Sequence, residues 1–274
     1  MNQLIKLLIK ALKGFNIGRY IIEQLNLYVS KIIIKIPGTE VNLKFYSPNR
    51  LNIFRIKTFF SKEPETIDWI NNFEENSTFF DIGANIGLYS CYAAKKKNCN
   101  VIAFEPSVFN LELLAKNIYL NLLSSKITVI PTPISNITQI SEFNMSTTEA
   151  GGALSTFGET YTHDGTKINN NFNYKMPGTT LDKIVSFYKL NKPKYIKIDV
   201  DGIEHLILEG AGEILKESKS VLVEVNDKFI LQADKVQKIM KDNGFEMTEK
   251  KQSKLIAESK EVKNIFNQIW IRKN

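Results

Sequence analysis

The chain has 274 residues, 43% apolar and 24% charged, the range of a soluble globular protein with one large or two small domains. Its formal charge of +7 would suit an acidic partner, but only four of its 36 basic residues are Arg (Arg19, Arg50, Arg55, Arg272), the side chain that phosphate and base-edge recognition favour. Lysines are interspersed with Glu and Asp, so we read a solvated lysine surface rather than a nucleic-acid groove, and two cysteines make no disulfide framework, which points to a reducing, cytoplasmic setting.

The opening stretch MNQLIKLLIKALKGF is no secretory signal, because Lys6, Lys10 and Lys13 interrupt its apolar run. On a helix those lysines share one face, and Leu4, Leu8, Leu12 and Phe15 share another. Such a basic amphipathic helix can lie on the inner face of a membrane, or pack on the domain or on a partner chain. No apolar run is long enough to span a bilayer. Residues 1–30 read as helix, and KIIIKIPGTEVNLKFYS alternates around Pro37-Gly38 as a β-hairpin. Residues 1–60 therefore form an extension, and residues 61–274 the main domain.

Glu63 to Phe73 reads as a short helix starting near Pro64. From Thr78 the rhythm becomes strand, helix, strand. TFFDIG is a buried strand, LYSCYAAKK a helix and VIAFEP a second strand. The next helix places Val108, Leu111, Leu114, Ala115, Ile118 and Leu122 on one face, and KITVIPTPIS is a third strand. Farther on come the strand YIKIDV, one helix with Ile203, Leu206, Ile207, Gly210, Ala211, Ile214 and Leu215 on one face, and the strand VLVEVN. A helix near Leu231 to Lys241 then ends before Gly244, and NQIWIR is a last strand. Alternation of this kind implies an α/β fold with a mostly parallel sheet covered on both faces. A Gly-, Thr- and Asn-rich segment, residues 136–180, breaks the rhythm and is read as short strands and loops forming a lid or substrate wall.

In such sheets ligands bind beyond the carboxyl ends of the strands. Acids stand at that edge in four strands: Asp81, Glu105, Asp199 with Asp201, and Glu224. A glycine turn followed about twenty residues later by an acid for ribose hydroxyls is a nucleoside signature. The turn here is Gly83-Ala84-Asn85-Ile86-Gly87, with Asn85 where a dinucleotide fingerprint has the glycine that lets backbone touch pyrophosphate. No Gly-Lys-Ser/Thr follows, which excludes a Walker A loop. A nucleoside without phosphate fits better, and Asp81 at the strand end suits a cation; S-adenosylmethionine, with a sulfonium, an ammonium and a ribose, meets both conditions.

FFDIGANIGLYS, FEPS, TTLDKI and YIKIDVDGIEHLILEGA, in that order, resemble the FkbM family of S-adenosylmethionine-dependent methyltransferases over roughly Glu63 to Asn226. The resemblance implies a Rossmann-like seven-stranded sheet, mostly parallel, with EMTEK and NQIWIR supplying an antiparallel C-terminal hairpin. By motif, Asp81, Gly83, Asn85 and Gly87, with Ala84 inside the turn, would line the methionine part of S-adenosylmethionine. Glu105 would hold the ribose, and Ser107 and Ser135 would flank the adenine. The implied reaction is transfer of a methyl group to a hydroxyl, of a sugar in a glycan, polysaccharide or glycolipid. A hydroxyl is a weak nucleophile at neutral pH and needs a base or a metal. Asp199, Asp201 and Glu224 are the candidates, either as bases or jointly holding a divalent cation such as Mg²⁺. Two other readings stand beside this one: an NAD-dependent sugar oxidoreductase or epimerase, and a cofactor-binding scaffold without catalysis. His205, His163 and Cys91 carry no comparable signal; packing is the expectation for His205 and Cys91, and at most a substrate contact for His163.

Overall fold

The computed structural model describes residues 2–169, 171–259 and 263–273. The first thirty residues are helical but not as one helix: α1 (Asn2–Lys13) and α2 (Asn16–Val29) break at Gly14-Phe15, whose amides bond back to Ala11 and Leu12. The pair closes tightly because Gly18 lacks a side chain; a Cβ there would lie 2.1 Å from the Leu12 carbonyl oxygen. The expected hairpin follows as β1 (Lys31–Lys35) and β2 (Asn42–Tyr46), paired Lys31 to Tyr46 through Lys35 to Asn42.

Two short helices follow that hydrophobic periodicity does not announce, α3 (Arg50–Lys57), capped by the Asn49 side chain on the Asn52 amide, and α4 (Phe59–Lys62). Next come α5 (Pro64–Asn71), β3 (Thr78–Ile82), α6 (Leu88–Lys97), β4 (Asn100–Phe104), α7 (Val108–Leu120) and β5 (Ile127–Ile130). The insertion folds as an antiparallel trio, β6 (Gln139–Met145), β7 (Ser155–Phe157) and β8 (Phe172–Gly178), in the order β7-β6-β8. The chain ends with α8 (Leu181–Tyr188), β9 (Tyr195–Ile198), α9 (Glu204–Glu209), α10 (Gly212–Glu217), β10 (Ser220–Asn226), α11 (Ile230–Asp242), β11 (Phe245–Lys251), α12 (Lys254–Ala257) and β12 (Ile265–Arg272). The single helix expected across Ile203 to Leu215 is two, separated at Gly210-Ala211.

The main sheet has seven strands in the order β11-β12-β10-β9-β3-β4-β5. Strands β10, β9, β3, β4 and β5 run parallel, while β12 runs antiparallel to both β10 and β11. This is the mostly parallel Rossmann-like sheet with an antiparallel C-terminal hairpin. Its parallel strands are apolar along their length because each face is covered. Phe79, Val101 and Ile127 pack with α5, α6 and α7, and Phe80, Ile102, Ile196 and Val223 pack with α8 to α11. The chain steps outward from β3 to β4 to β5, then returns to lay β9 on the other side of β3. Strand order reverses there, and such a switch point opens a crevice at the carboxyl ends. The insertion packs Phe143, Met145 and Phe157 against Ile203 and Leu206, which holds it over that crevice. Among the described residues no helix is long and apolar enough to cross a membrane.

Candidate active site

The glycine turn is placed by what surrounds it. Gly83 and Ala84 both donate main-chain hydrogen bonds to the Phe104 carbonyl at the end of β4. Gly83 has φ +86, and a Cβ there would lie 1.9 Å from the Asp199 carbonyl oxygen, so the turn can approach the end of β9 this closely only if this residue is glycine. Asn85 takes the left-handed conformation that Asn tolerates (φ 50), which turns its N–H toward Glu105. Glu105 accepts that N–H at 2.7 Å on one oxygen, and the Ser107 N–H at 2.8 Å on the other. Burial outweighs these bonds and pushes the Glu105 carboxyl up to about 7.

Beyond Glu105 lies a cavity at the carboxyl ends of β3, β4 and β9. Gly83, Asn85 and Glu105 form one wall, Thr132, Pro133 and Ile134 another, and Phe143, Phe157 and Ala153 of the insertion cover it. Its lining holds three carboxylates, Glu105, Asp199 and Asp201, and no Lys or Arg.

Several residues expected around the cofactor are not in this lining. Asp81 is buried behind the turn, where it accepts the Ser90 hydroxyl at 2.5 Å; it faces Lys197 rather than the cavity. Ala84 faces the smaller cavity beside Tyr89, and Gly87 caps α6 in a left-handed conformation against Leu114. Ser107 and Ser135 are buried at the ends of β4 and β5: the first begins α7, and the second bonds through its amide to the Thr179 carbonyl.

The D-V-D-G segment after β9 forms the opposite wall. Lys197 is 1% exposed and meets Asp199 at 2.5 Å. Burial opposes its charge, but Asp199, Asp81 and Glu63 surround it and raise its pKa. Asp201 has φ 63 and accepts the Leu154 N–H at 2.7 Å. Glu204 gathers the Val200 N–H at 3.0 Å and the Gly202 N–H, and also accepts from Gln232. Burial brings Glu204 to about 7. It shapes the D-G turn from below without reaching a cavity. His205 is packed against Phe229 and held neutral by burial, its pKa lowered to about 4, and Cys91 is buried; both behave as packing residues.

A larger cavity lies on the other side of Asp199. Arg55, Lys62 and Glu63 from the helices after β2 face Asp199, Asp201 and Glu224 across it, with His163 of the insertion at the rim. Glu63 bonds Lys62 at 2.7 Å and the Tyr89 hydroxyl at 2.8 Å; burial would raise its pKa, but Lys62 and Lys197 prevail and keep it ionised. At Glu224 the balance is reversed: burial, with Asp199 and Glu63 nearby, outweighs Lys62 and lifts its carboxyl well above the usual range. Gly83, Asn85, Asp199 and Asp201 line both this cavity and the first. The two compartments thus meet at one seam, between the glycine turn and Asp199.

Residues 150–154 form a strap over that seam. Asn49 and Asn52 donate to the Ala150 carbonyl at 2.8 and 2.7 Å, and the Arg55 Nε donates to Gly151 at 2.9 Å. Asn85 donates to Gly152 at 2.8 Å, and Asn110 accepts the Gly151 N–H at 2.9 Å. Nothing in the spacing of these residues signalled the strap, because its partners lie up to about a hundred positions away. Lys197 was more accessible to inspection: in Tyr-Ile-Lys-Ile-Asp it shares a strand face with Asp199. Among the described residues no group of three or more His, Cys, Asp or Glu is arranged to hold a metal ion. Asp199 is already occupied by Lys197, so the donor set does not fit the Mg²⁺ site that the sequence left open.

Residues 81–247 match the methyltransferase FkbM domain, and the chain belongs to the FkbM methyltransferase family. It is 29% identical over 157 residues to the hexuronic acid methyltransferase AglP of Haloferax volcanii, a match covering 56% of this chain and 57% of that protein. The chain thus spans little more than half the length of that relative. The crystal structure of an FkbM methyltransferase from Methylobacillus flagellatus KT shares the fold at a TM-score of 0.50 and 16% identity, over 73% of this chain and 44% of that one.

Proposed function

We propose that this FkbM-family chain moves a methyl group from S-adenosylmethionine to a hydroxyl of a sugar, in a glycan, polysaccharide or glycolipid. The observation that carries the reading is the nucleoside cavity's lining: three carboxylates and no Lys or Arg. A pyrophosphate there would meet carboxylates and no Lys or Arg in the lining, which disfavours an NAD-dependent reaction, whereas a sulfonium nucleoside meets complementary charge.

Glu105 would accept the ribose hydroxyls, and Phe143, Phe157 and Ile134 would enclose the base. Gly83, Asn85 and Asp199 would bracket the methionyl end at the seam. When bound, S-adenosylmethionine supplies an electrophilic methyl carried on sulfur. The chain's own work is alignment, which can supply up to about 7–11 kcal/mol in such reactions, and proton removal. Asp199 takes the acceptor hydroxyl's proton, with Lys197 holding the carboxylate in place. Glu224 lies on the acceptor side of Asp199 as a polar contact for the sugar, and Asp201 fixes the strap that keeps water from the seam. No step is derived through a metal. A sugar acceptor is supported by the name of the AglP relative and by the polar walls of the larger cavity, which argue against a scaffold with no substrate.

Titration calorimetry with S-adenosylhomocysteine tests the reading. Micromolar-range binding that excess NAD does not displace is expected; no binding, or displacement by NAD, would overturn it.

A further inference from the structure

Among the described residues, large exposed apolar side chains are most numerous on the α1–α2 hairpin. Leu4 is 78% exposed, Leu8 62%, Phe15 68%, Ile17 73% and Tyr28 87%. Side chains of this size normally find a partner, and a contiguous exposed apolar patch marks an interaction surface. The possibility that the first helix packs on the domain is removed, since its apolar face lies open. The hairpin is closed on itself by Gly18 against Leu12 and by the Arg19 Nε on the Lys13 carbonyl, so it is formed before any partner arrives.

Charge identifies the partner. Lys6, Lys10 and Lys13 line the polar face of α1 and Arg19 follows on α2, against the single acid Glu23. No ion pair to these lysines occurs among the described residues. A second copy of the chain would bring these cations toward each other with little to neutralise them. An anionic lipid surface supplies both an apolar layer for the leucines and counter-charges for the lysines. We infer that the α1–α2 hairpin docks the protein on an anionic phospholipid surface, with Leu4, Leu8 and Phe15 entering the acyl boundary and Lys6, Lys10 and Lys13 in the headgroup layer. Helix α3, which carries Arg55 into the larger cavity, packs on the β1 strand that follows the hairpin. The larger cavity is therefore a short stretch of chain from the docked surface. Lipid docking does not depend on the methyl-transfer reading; only the corollary that the sugar acceptor is presented at that surface rests on it.

Vesicle co-sedimentation of the full chain tests the inference. Binding is expected to phosphatidylcholine vesicles containing about 30% phosphatidylglycerol and not to phosphatidylcholine alone, and it should weaken steeply as salt rises. Lys6→Gln/Lys10→Gln/Lys13→Gln should lower the partition coefficient roughly a hundredfold, at about 1 kcal/mol per lysine. Leu4→Asp/Leu8→Asp should abolish binding even at low salt. Retained S-adenosylhomocysteine binding by each variant shows that the domain is folded; if no form binds that ligand, an unchanged circular dichroism melt serves instead, and the methyl-transfer reading fails on its own. Equal binding to both vesicles, no binding to either, or a stable dimer dispersed by Leu4→Asp/Leu8→Asp would each overturn the inference, the last in favour of self-association.

Discussion

The two cavities share a wall and differ in almost everything else. The cavity beyond Glu105 is lined by no Lys or Arg, is covered by the insertion and uses Glu105 to bind the turn together. The larger cavity sets Lys62 and Arg55 against five carboxylates, and there Glu63 is held ionised while Glu224 is pushed up. Carboxyl groups shifted in opposite directions within one cavity are a usual mark of a site that moves protons.

The sharpest way to break this contrast is Asp199→Asn. Turnover should fall about 10²–10⁴-fold, as for loss of a general base, while S-adenosylhomocysteine affinity changes only a few-fold. Equal losses in both would make Asp199 a cofactor ligand. Lys197→Met should destabilise the fold by about 3–5 kcal/mol, because it strands buried carboxylates, and a thermal melt reads this directly. Glu105→Ala should weaken S-adenosylhomocysteine about 10–100-fold by calorimetry with less effect on turnover at saturation, since charge-assisted hydrogen bonds are worth roughly 1.5–3 kcal/mol. The strap is held by several bonds of about 0.5–1.5 kcal/mol each, so Asn52→Ala should raise KM only a few-fold; a large fall in turnover would move the strap into the chemistry.

The contrast also shows in the response to pH. Glu105 and Glu204 have pKa values near 7 in the fold, against an ordinary 4.5. An acid with a raised folded pKa binds more protons folded than unfolded, so this contribution to stability is present below about 4.5 and is lost as pH rises toward 7. Ligand affinity should run the other way, because ionised Glu105 is the better acceptor for hydroxyls. Calorimetry from pH 5.5 to 8 should show tightening of up to about tenfold per pH unit below 7, flattening above it, and no such trend in Glu105→Gln.

The parts of the candidate site written along a single strand and its turn stand out in the sequence. Gly83, Asn85 and Glu105, which share one cavity wall, appear there as a glycine turn and an acid one strand away, and Asp199 as the acid that ends a buried strand. Asp81 stands at a strand end, the place that suggests the cofactor, and its side chain is turned inward to Ser90 and Lys197. The acceptor wall was hidden for a different reason. Arg55, Lys62 and Glu63 sit on short helices with little periodicity, and their partners Gly151, Lys197 and Asp199 are more than ninety positions away. Contacts at that separation leave no local pattern. The break between α1 and α2 depends on Gly14, a residue that weakens a helix without always ending it.

A crystal structure with S-adenosylhomocysteine bound tests the two-cavity account most directly. It should place the ribose hydroxyls on Glu105, the base between Ile134 and Phe157, and the sulfur at the seam between Gly83 and Asp199, facing the larger cavity. Sulfur directed away from Asp199, or a ribose that leaves Glu105 untouched, would contradict it.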